Sequence, residues 1–162
     1  SLGQGLSAAV GNAMGKKLAE DTSTVFTLHG DGELQEGQIW EAAMFAAANK
    51  VDNIIATIDY NGKQIDGPVD EVCSLGDLAA KWASFGWTVI EMDGHNMPEI
   101  LSTLEYARTC CGQGKPVVIL MHTIMGKGVS FMEGSHKWHG SPPNDDQLAT
   151  ALKEIPETLG DY

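Results

Sequence analysis

V-F-T-L-H-G-D-G-E-L-Q-E-G (Val25–Gly37), an alanine-rich segment and N-I-I-A-T-I-D-Y-N-G-K-Q-I-D-G (Asn53–Gly67) form the stretch on which the fold turns. Two apolar runs, Val25–Leu28 and Ile54–Ile58, have the composition of buried strands. Each ends in a polar turn, Gly30-Asp31-Gly32 in one case and Asp59-Tyr60-Asn61 in the other. Between them Trp40, Ala43, Met44 and Ala47 recur at helical spacing, which predicts a helix over Gln38–Asn49. A strand–helix–strand unit with parallel strands carries both turns to the C-terminal edge of one sheet. Asp31 and Asn61, distant in sequence, can then face one point in space.

A carboxylate oxygen and an amide oxygen are hard ligands, suited to Mg²⁺ or Ca²⁺ and too few to complete its shell. Mg²⁺ held this way takes its other ligands from water and phosphate oxygens. Gly30 and Gly32 let backbone approach a ligand closely, and the following helix offers unpaired N–H groups to an anion. The residues therefore predict a metal-bridged diphosphate at the edge of a parallel sheet.

Gly30-Asp31-Gly32, 28 intervening residues (33–60) and then Asn61 resemble the GDG…N motif of thiamine-diphosphate enzymes. The surrounding words narrow the resemblance to the transketolase family. They are S-L-G-Q-G-L-S-A-A-V-G at Ser1–Gly11, G-D-G-E-L-Q-E-G at Gly30–Gly37 and I-D-G at Ile65–Gly67. G-K-G-V-S-F-M-E follows at Gly126–Glu133, with W-H-G at Trp138–Gly140. With the last two taken as one pair, four such words in order cover nearly the whole chain, and the pairing of G-K-G-V-S-F with W-H-G favours transketolase over 1-deoxyxylulose-phosphate synthases and dehydrogenase E1 components.

Length and charge agree with this. The 162 residues are enough for one domain with a real core, and 43% hydrophobic content suits a globular α/β protein. A formal charge of −12 argues against nucleic acid or an anionic membrane as partner. It also sets a tension with diphosphate binding, which a divalent cation, glycines and backbone amides can relieve locally. Cys73, Cys110 and Cys111 form no disulfide framework and no zinc spacing, so reduced thiols in a cytoplasmic protein are expected, one of the adjacent pair in the core and one at the surface. No apolar run of membrane-spanning length and no leader is visible, so neither a membrane span nor export is expected.

In chain order, Ser1–Leu18 reads as a small-residue helix with Leu6, Val10, Ala13, Met14 and Leu18 on one face. Its Gly3, Gly5 and Ala8 match a dinucleotide fingerprint, but no strand precedes them here. Asn61–Asp70 reads as a loop. Asp77 caps a short helix bearing Leu78, Trp82 and Phe85, and Thr88–Met92 is a third strand. Asn96 caps a helix whose apolar face is Met97, Ile100, Leu104, Ala107 and Cys111. Val117–Met121 is a fully buried strand, His122–Gly140 a loop over the site, and Asn144 starts a last helix with Leu148 and Leu152. The expected architecture is one three-layer α/β/α domain over residues 1–162 with a mostly parallel sheet, the thiamine-diphosphate-binding fold.

The resemblance implies roles residue by residue. Asp31, Asn61 and the main-chain carbonyl of Lys63 would hold Mg²⁺ or Ca²⁺. Leu2 would lie near the aminopyrimidine ring, and Gly30, Gly32 and Glu33 near the cofactor. Ile65 and Ile124 would flank the thiazolium ring, where apolar surroundings favour its ylide; otherwise both are plain core. His139 would contact diphosphate and substrate oxygens and relay protons; otherwise it is a surface histidine. Glu36 is either a helix-start carboxylate or the glutamate that couples cofactor sites at a subunit interface. His29, where a small residue is expected, either touches the ligand or packs on the neighbouring strand. Lys127 either contacts phosphate or is solvated, and Trp40, Trp82 and Trp87 are core.

The implied activity is transfer of a two-carbon ketol unit between sugar phosphates, with thiamine diphosphate as cofactor. The implied partner is a pyrimidine-binding domain on another chain or subunit, in a homo- or hetero-oligomer. The sequence resembles the diphosphate-binding, N-terminal domain of the family, or a split N-terminal subunit, and its upstream helices are expected to be missing. Such a chain would be inactive alone. The alternatives are a non-catalytic binding module that keeps the fold without the cofactor, and a Rossmann-type dinucleotide domain.

Overall fold

The apolar runs become strands of one parallel sheet in the computed structural model, which describes residues 2–155. In chain order the elements are α1 (Gln4–Leu18), β1 (Val25–Gly30), a 3₁₀ turn (Gly32–Gln35), α2 (Gly37–Ala48) and β2 (Ile54–Tyr60). A small hairpin of β3 (Lys63–Gln64) and β4 (Gly67–Pro68) follows, then α3 (Val69–Cys73), α4 (Leu78–Ser84), β5 (Thr88–Asp93) and α5 (Met97–Cys110). Then come β6 (Val117–His122), a 3₁₀ turn (His136–Trp138) and α6 (Asp145–Glu154).

The sheet order is β1-β2-β6-β5 with every pairing parallel, so all four strands end at one edge. Alternation divides the side chains between its faces. Ile54, Ala56 and Ile58 of β2 and Val118 and Leu120 of β6 join α1, α2 and α4 in one core cluster. Ile55, Val117 and Ile119 point the other way, into a second cluster with Met92 of β5 and Ala107 of α5. This is the expected three-layer α/β/α arrangement. Among the described residues no helix is long and apolar enough to cross a membrane.

The edge position of β1 overturns one expectation. Phe26 and Leu28 are 48% and 70% exposed, so Val25–Leu28 is buried on one face only. Helix α5 lies over β5 and β6, not over β1. Helix faces also shift. The buried stripe of α2 is Ile39, Ala42, Ala43 and Ala46, with Met44 exposed; in α1 Leu18 is exposed, and in α5 Met97 is. Leu148 and Leu152 of α6 are exposed, and Ala151 is buried in their place. Cys110 and Cys111 are both half-buried. The helix expected from Ser1 begins at Gln4, and Ser1 lies outside the described residues.

The predicted caps Asp77 and Asn96 hold, accepting from the Ala80 and Glu99 N–H, and Asn144, expected to start the last helix, lies just before it and accepts the Gln147 N–H in a full capping box. Trp82 and Trp87 are buried, and Trp40 packs against Trp82 with centroids 5.1 Å apart.

Opposite the site edge, Asp52 fastens three segments. Its carboxylate takes Lys17 Nζ at 2.6 Å and the Gly114 N–H at 2.8 Å, and Lys17 also donates to the Lys50 carbonyl. Burial pushes the Asp52 pKa up, but the Lys17 ammonium and the Gly114 N–H outweigh it and hold the carboxyl below its usual range. A lowered carboxyl contributes stability above its unfolded value, about 3.9, and loses it as pH falls through the folded value. Asp52→Ala should therefore cost about 1–2 kcal/mol at pH 7 in urea denaturation. That difference should shrink below about pH 4; a gap that does not narrow would contradict the assignment.

Candidate cofactor site at the C-terminal edge of the sheet

Strands β1 and β2 end level, Gly30 opposite Asp59, so Asp31 and Asn61 leave the sheet side by side. Asp31 is 1% exposed. One of its carboxylate oxygens accepts the Gly32 N–H at 2.7 Å and the other accepts the Gly62 N–H. The Asp31 N–H in turn donates to the Asp59 carbonyl at 3.2 Å. Burial pushes the Asp31 pKa up; the Gly62 and Gly32 N–H groups oppose this, and the charge of Asp59 adds to it.

Asn61 is oriented by two bonds. Its Nδ2 donates to Asp59 Oδ2 at 3.1 Å, and its Oδ1 accepts the Lys63 N–H at 2.8 Å. The other Asp59 oxygen accepts from the Thr123 hydroxyl. Asp59 thus sets the amide of Asn61 and links the first two turns to the one after β6. Sequence reading passed over it because the apolar run stops at Ile58 and Asp-Tyr-Asn looks like a turn. In fact β2 runs on through Tyr60.

A cavity of about 360 Å³ collects most of the predicted residues: Leu2, Gly30, Asp31, Gly32, Glu33, Glu36, Asn61, Lys63, Ile65 and His139. Asp59 and Asp66 also line it, so five carboxylates face Lys63 and His139. An anion alone would be repelled here, and a divalent cation would relieve the repulsion. Among the described residues no three His, Cys, Asp or Glu side chains cluster as metal ligands. Any cation would depend on one carboxylate, one amide and a backbone carbonyl, a hard oxygen set that leaves room for phosphate oxygens. The glycine at position 32 fits the same purpose, since a Cβ there would lie 2.9 Å from Gln64 Cβ. Gln64 is itself fixed by Gln35, which donates to it and to the Cys73 carbonyl.

Ile124 lies elsewhere. It lines an adjoining cavity of about 580 Å³ with Leu28, His95, Met121 and Trp138, and this cavity shares Asp59, Asn61 and His139 with the first. The loop over it is folded tightly on itself. Gly126 has φ of +69°, and a Cβ there would meet the Met132 backbone at 2.9 Å. Trp138 Nε1 donates to the Phe131 carbonyl at 2.9 Å. Ile65 and Ile124 are 64% and 41% exposed, so neither is core.

Glu36 and His139 are exposed at the cavity mouth. Glu33 is turned inward, where its Oε1 accepts the Gly3 N–H at 2.8 Å. Lys127 is taken up by Glu133 at 3.1 Å. His122 pairs with Glu91 at 2.7 Å, and His95 Nε2 accepts the Ile124 N–H.

The family described as transketolase, thiamine diphosphate binding domain, matches residues 1–156. A 6-deoxy-6-sulfo-D-fructose transketolase subunit of Clostridium sp. strain MSTE9 is 48% identical, covering 96% of this chain and 56% of that protein. An apulose-4-phosphate transketolase subunit of Phocaeicola vulgatus is 42% identical over 98% of this chain and 56% of its own length. The crystal structure of Campylobacter jejuni transketolase superimposes with a TM-score of 0.85 at 34% identity, over 94% of this chain and 24% of that one. The chain spans about half the length of these two curated relatives.

Proposed function

The chain belongs to the transketolase family, in its thiamine-diphosphate-binding domain, and from that premise we propose that it supplies the diphosphate and metal half of a two-chain ketol transferase. The supporting observation is the buried Asp31 carboxylate, set beside Asn61 and Lys63 in an acidic cavity at the sheet edge. Asp31, Asn61 and the Lys63 carbonyl would hold Mg²⁺ or Ca²⁺, with Gly30, Gly32 and Glu33 lining the path of the diphosphate. Thiamine diphosphate, when bound, supplies the nucleophilic carbon on which a two-carbon unit travels. Leu2 and Ile65 in one cavity and Ile124 in the adjoining one offer exposed apolar side chains, which would pack against its rings. His139 borders both cavities, so its imidazole can donate to phosphate oxygens in one and exchange protons with a substrate hydroxyl in the other.

The rest of the site would come from a pyrimidine-binding domain on another chain, with exposed Glu36 at the contact. Two relatives named as transketolase subunits, each matched over about half its length, support a split arrangement in which this sequence is one domain of the first subunit. Their different sugars leave the substrate class at ketose and aldose phosphates or sulfonates.

Reconstitution tests the reading. The protein, mixed with a partner bearing the pyrimidine domain, Mg²⁺ and thiamine diphosphate, should transfer the two-carbon unit to an aldose phosphate acceptor, and should not do so without the partner. A cofactor that never binds, with or without partner, would leave a fold-retaining module and no enzyme.

A further inference from the structure

His29 is a buried imidazole that the cofactor reading leaves without a task. It is 3% exposed, on the face of β1 that meets α1, and its Cε1 lies 3.5 Å from where a Cβ on Gly5 would stand. Its Nε2 is 2.9 Å from the Thr27 hydroxyl. Its Nδ1 has no hydrogen-bond partner among the described residues and lies 3.4 Å from Glu33 Oε1, within reach of electrostatic attraction but not aligned as a hydrogen bond. That same oxygen accepts the Gly3 N–H at 2.8 Å.

The chemistry of these groups fixes the ring's role. An ionised carboxylate oxygen only accepts, so the nitrogen facing it carries a hydrogen, and Nε2 accepts from Thr27. A buried N–H dipole 3.4 Å from a carboxylate oxygen attracts that oxygen more strongly than the same pair would in water. Leucine would fill the same space without this contact. We propose that His29 is a positioning residue: it holds the Glu33 carboxylate where it grips the Gly3 N–H, and so fixes the Leu2–Gly3 segment against the Gly30–Gly32 turn across the cavity. Leu2 and the glycine turn both line the cavity, so their spacing bears on the room available to a cofactor. Only that last consequence rests on the function proposed above; the link from His29 to Gly3 stands on geometry alone.

Hydrogen exchange of the Gly3 amide in the ligand-free chain reads the link directly. Three variants separate the ring nitrogens. His29→Asn places an amide N–H near Nδ1, His29→Gln places one near Nε2, and His29→Leu has neither. Gly3 should stay protected in His29→Asn and exchange about tenfold faster in His29→Gln and His29→Leu, while the core amides of Ala56 and Ile119 keep their protection. Equal Gly3 protection in all four proteins would overturn the proposal. So would loss in His29→Asn alongside the others, or a loosening shared equally by the core amides, which would make His29 a packing residue only. Titration with Mg²⁺ and thiamine diphosphate separates this from the function itself. If the unaltered chain binds no cofactor even beside a partner bearing the pyrimidine domain, that reading fails while the exchange order still decides the role of His29.

Discussion

Asp31→Ala is expected to abolish Mg²⁺-dependent binding of thiamine diphosphate, weakening it at least about 100-fold, since losing even an outer partner of a metal ligand costs about 10–100-fold. The side chain has two duties. It is the one buried carboxylate of the cavity, and its oxygens are the acceptors for the Gly32 and Gly62 N–H groups. Truncation leaves both donors without a partner, so the variant should also be less stable by about 1–3 kcal/mol. Asp31→Asn separates the duties: it keeps one acceptor, turns a donor toward the other N–H and removes the charge.

The pH dependence carries a definite sign. Burial and the nearby Asp59 raise the Asp31 pKa despite the two N–H groups. A raised carboxyl contributes stability fully present below its unfolded value, about 3.9, and lost as pH rises through the folded value. At neutral pH the free site therefore carries an uncomfortable charge, which a cation relieves. Cofactor binding should weaken as pH falls through that raised value, and calorimetry in buffers of different ionisation enthalpy should find protons released on binding. Binding that is unchanged in Asp31→Ala would overturn its proposed role in holding a metal.

Trp82→Ala is expected to give the largest loss of stability, about 3–5 kcal/mol, the range for a fully buried aromatic reduced to alanine. Trp82 is fully buried, with the Trp87 ring 4.9 Å away edge-on and the Trp40 ring 5.1 Å away. These rings join α4 to α2 and to the start of β5, so a void here loosens three elements together. The indole N–H of Trp82 has no acceptor among the described residues. Trp82→Phe gives up that unpaired donor along with some volume and should cost well under half as much. Chemical denaturation of the two variants decides this; equal losses would mean that the N–H has a partner in solution, such as a buried water.

How far the sequence carries the reader depends on the range of the physics involved. The meeting of Asp31 and Asn61 was legible because parallel strands joined by a helix must end at the same edge, whatever the rest of the chain does. The caps Asp77 and Asn96 were legible because each acts within three residues. Strand order was not legible, because the hydropathy of Val25–Leu28 says nothing about which strand sits outermost, and Phe26 and Leu28 were misjudged for that reason. Asp59 was missed because its importance lies in bonds to Asn61 and Thr123, the second 64 residues away. The two-residue strands β3 and β4 are too short to leave a pattern. Ile65 and Ile124 read equally well as core until the fold set them at a cavity mouth.

The placement of β6 has a consequence in time. Among the described strands it comes last in the chain, yet it lies between β2 and β5 and carries four consecutive fully buried residues, Val117 to Leu120. Until it arrives, β2 lacks one neighbour and β5 has none. A chain leaving the ribosome can close the β1–α2–β2 unit early, but α5 and β5 must wait for Val117 and its successors before they have a sheet to join. Synthesis at about 5–20 residues per second makes that a delay of several seconds. The turns carrying Asp31 and Asn61 can thus form before the loop carrying His139 exists, and the second core cluster depends on a segment that emerges late.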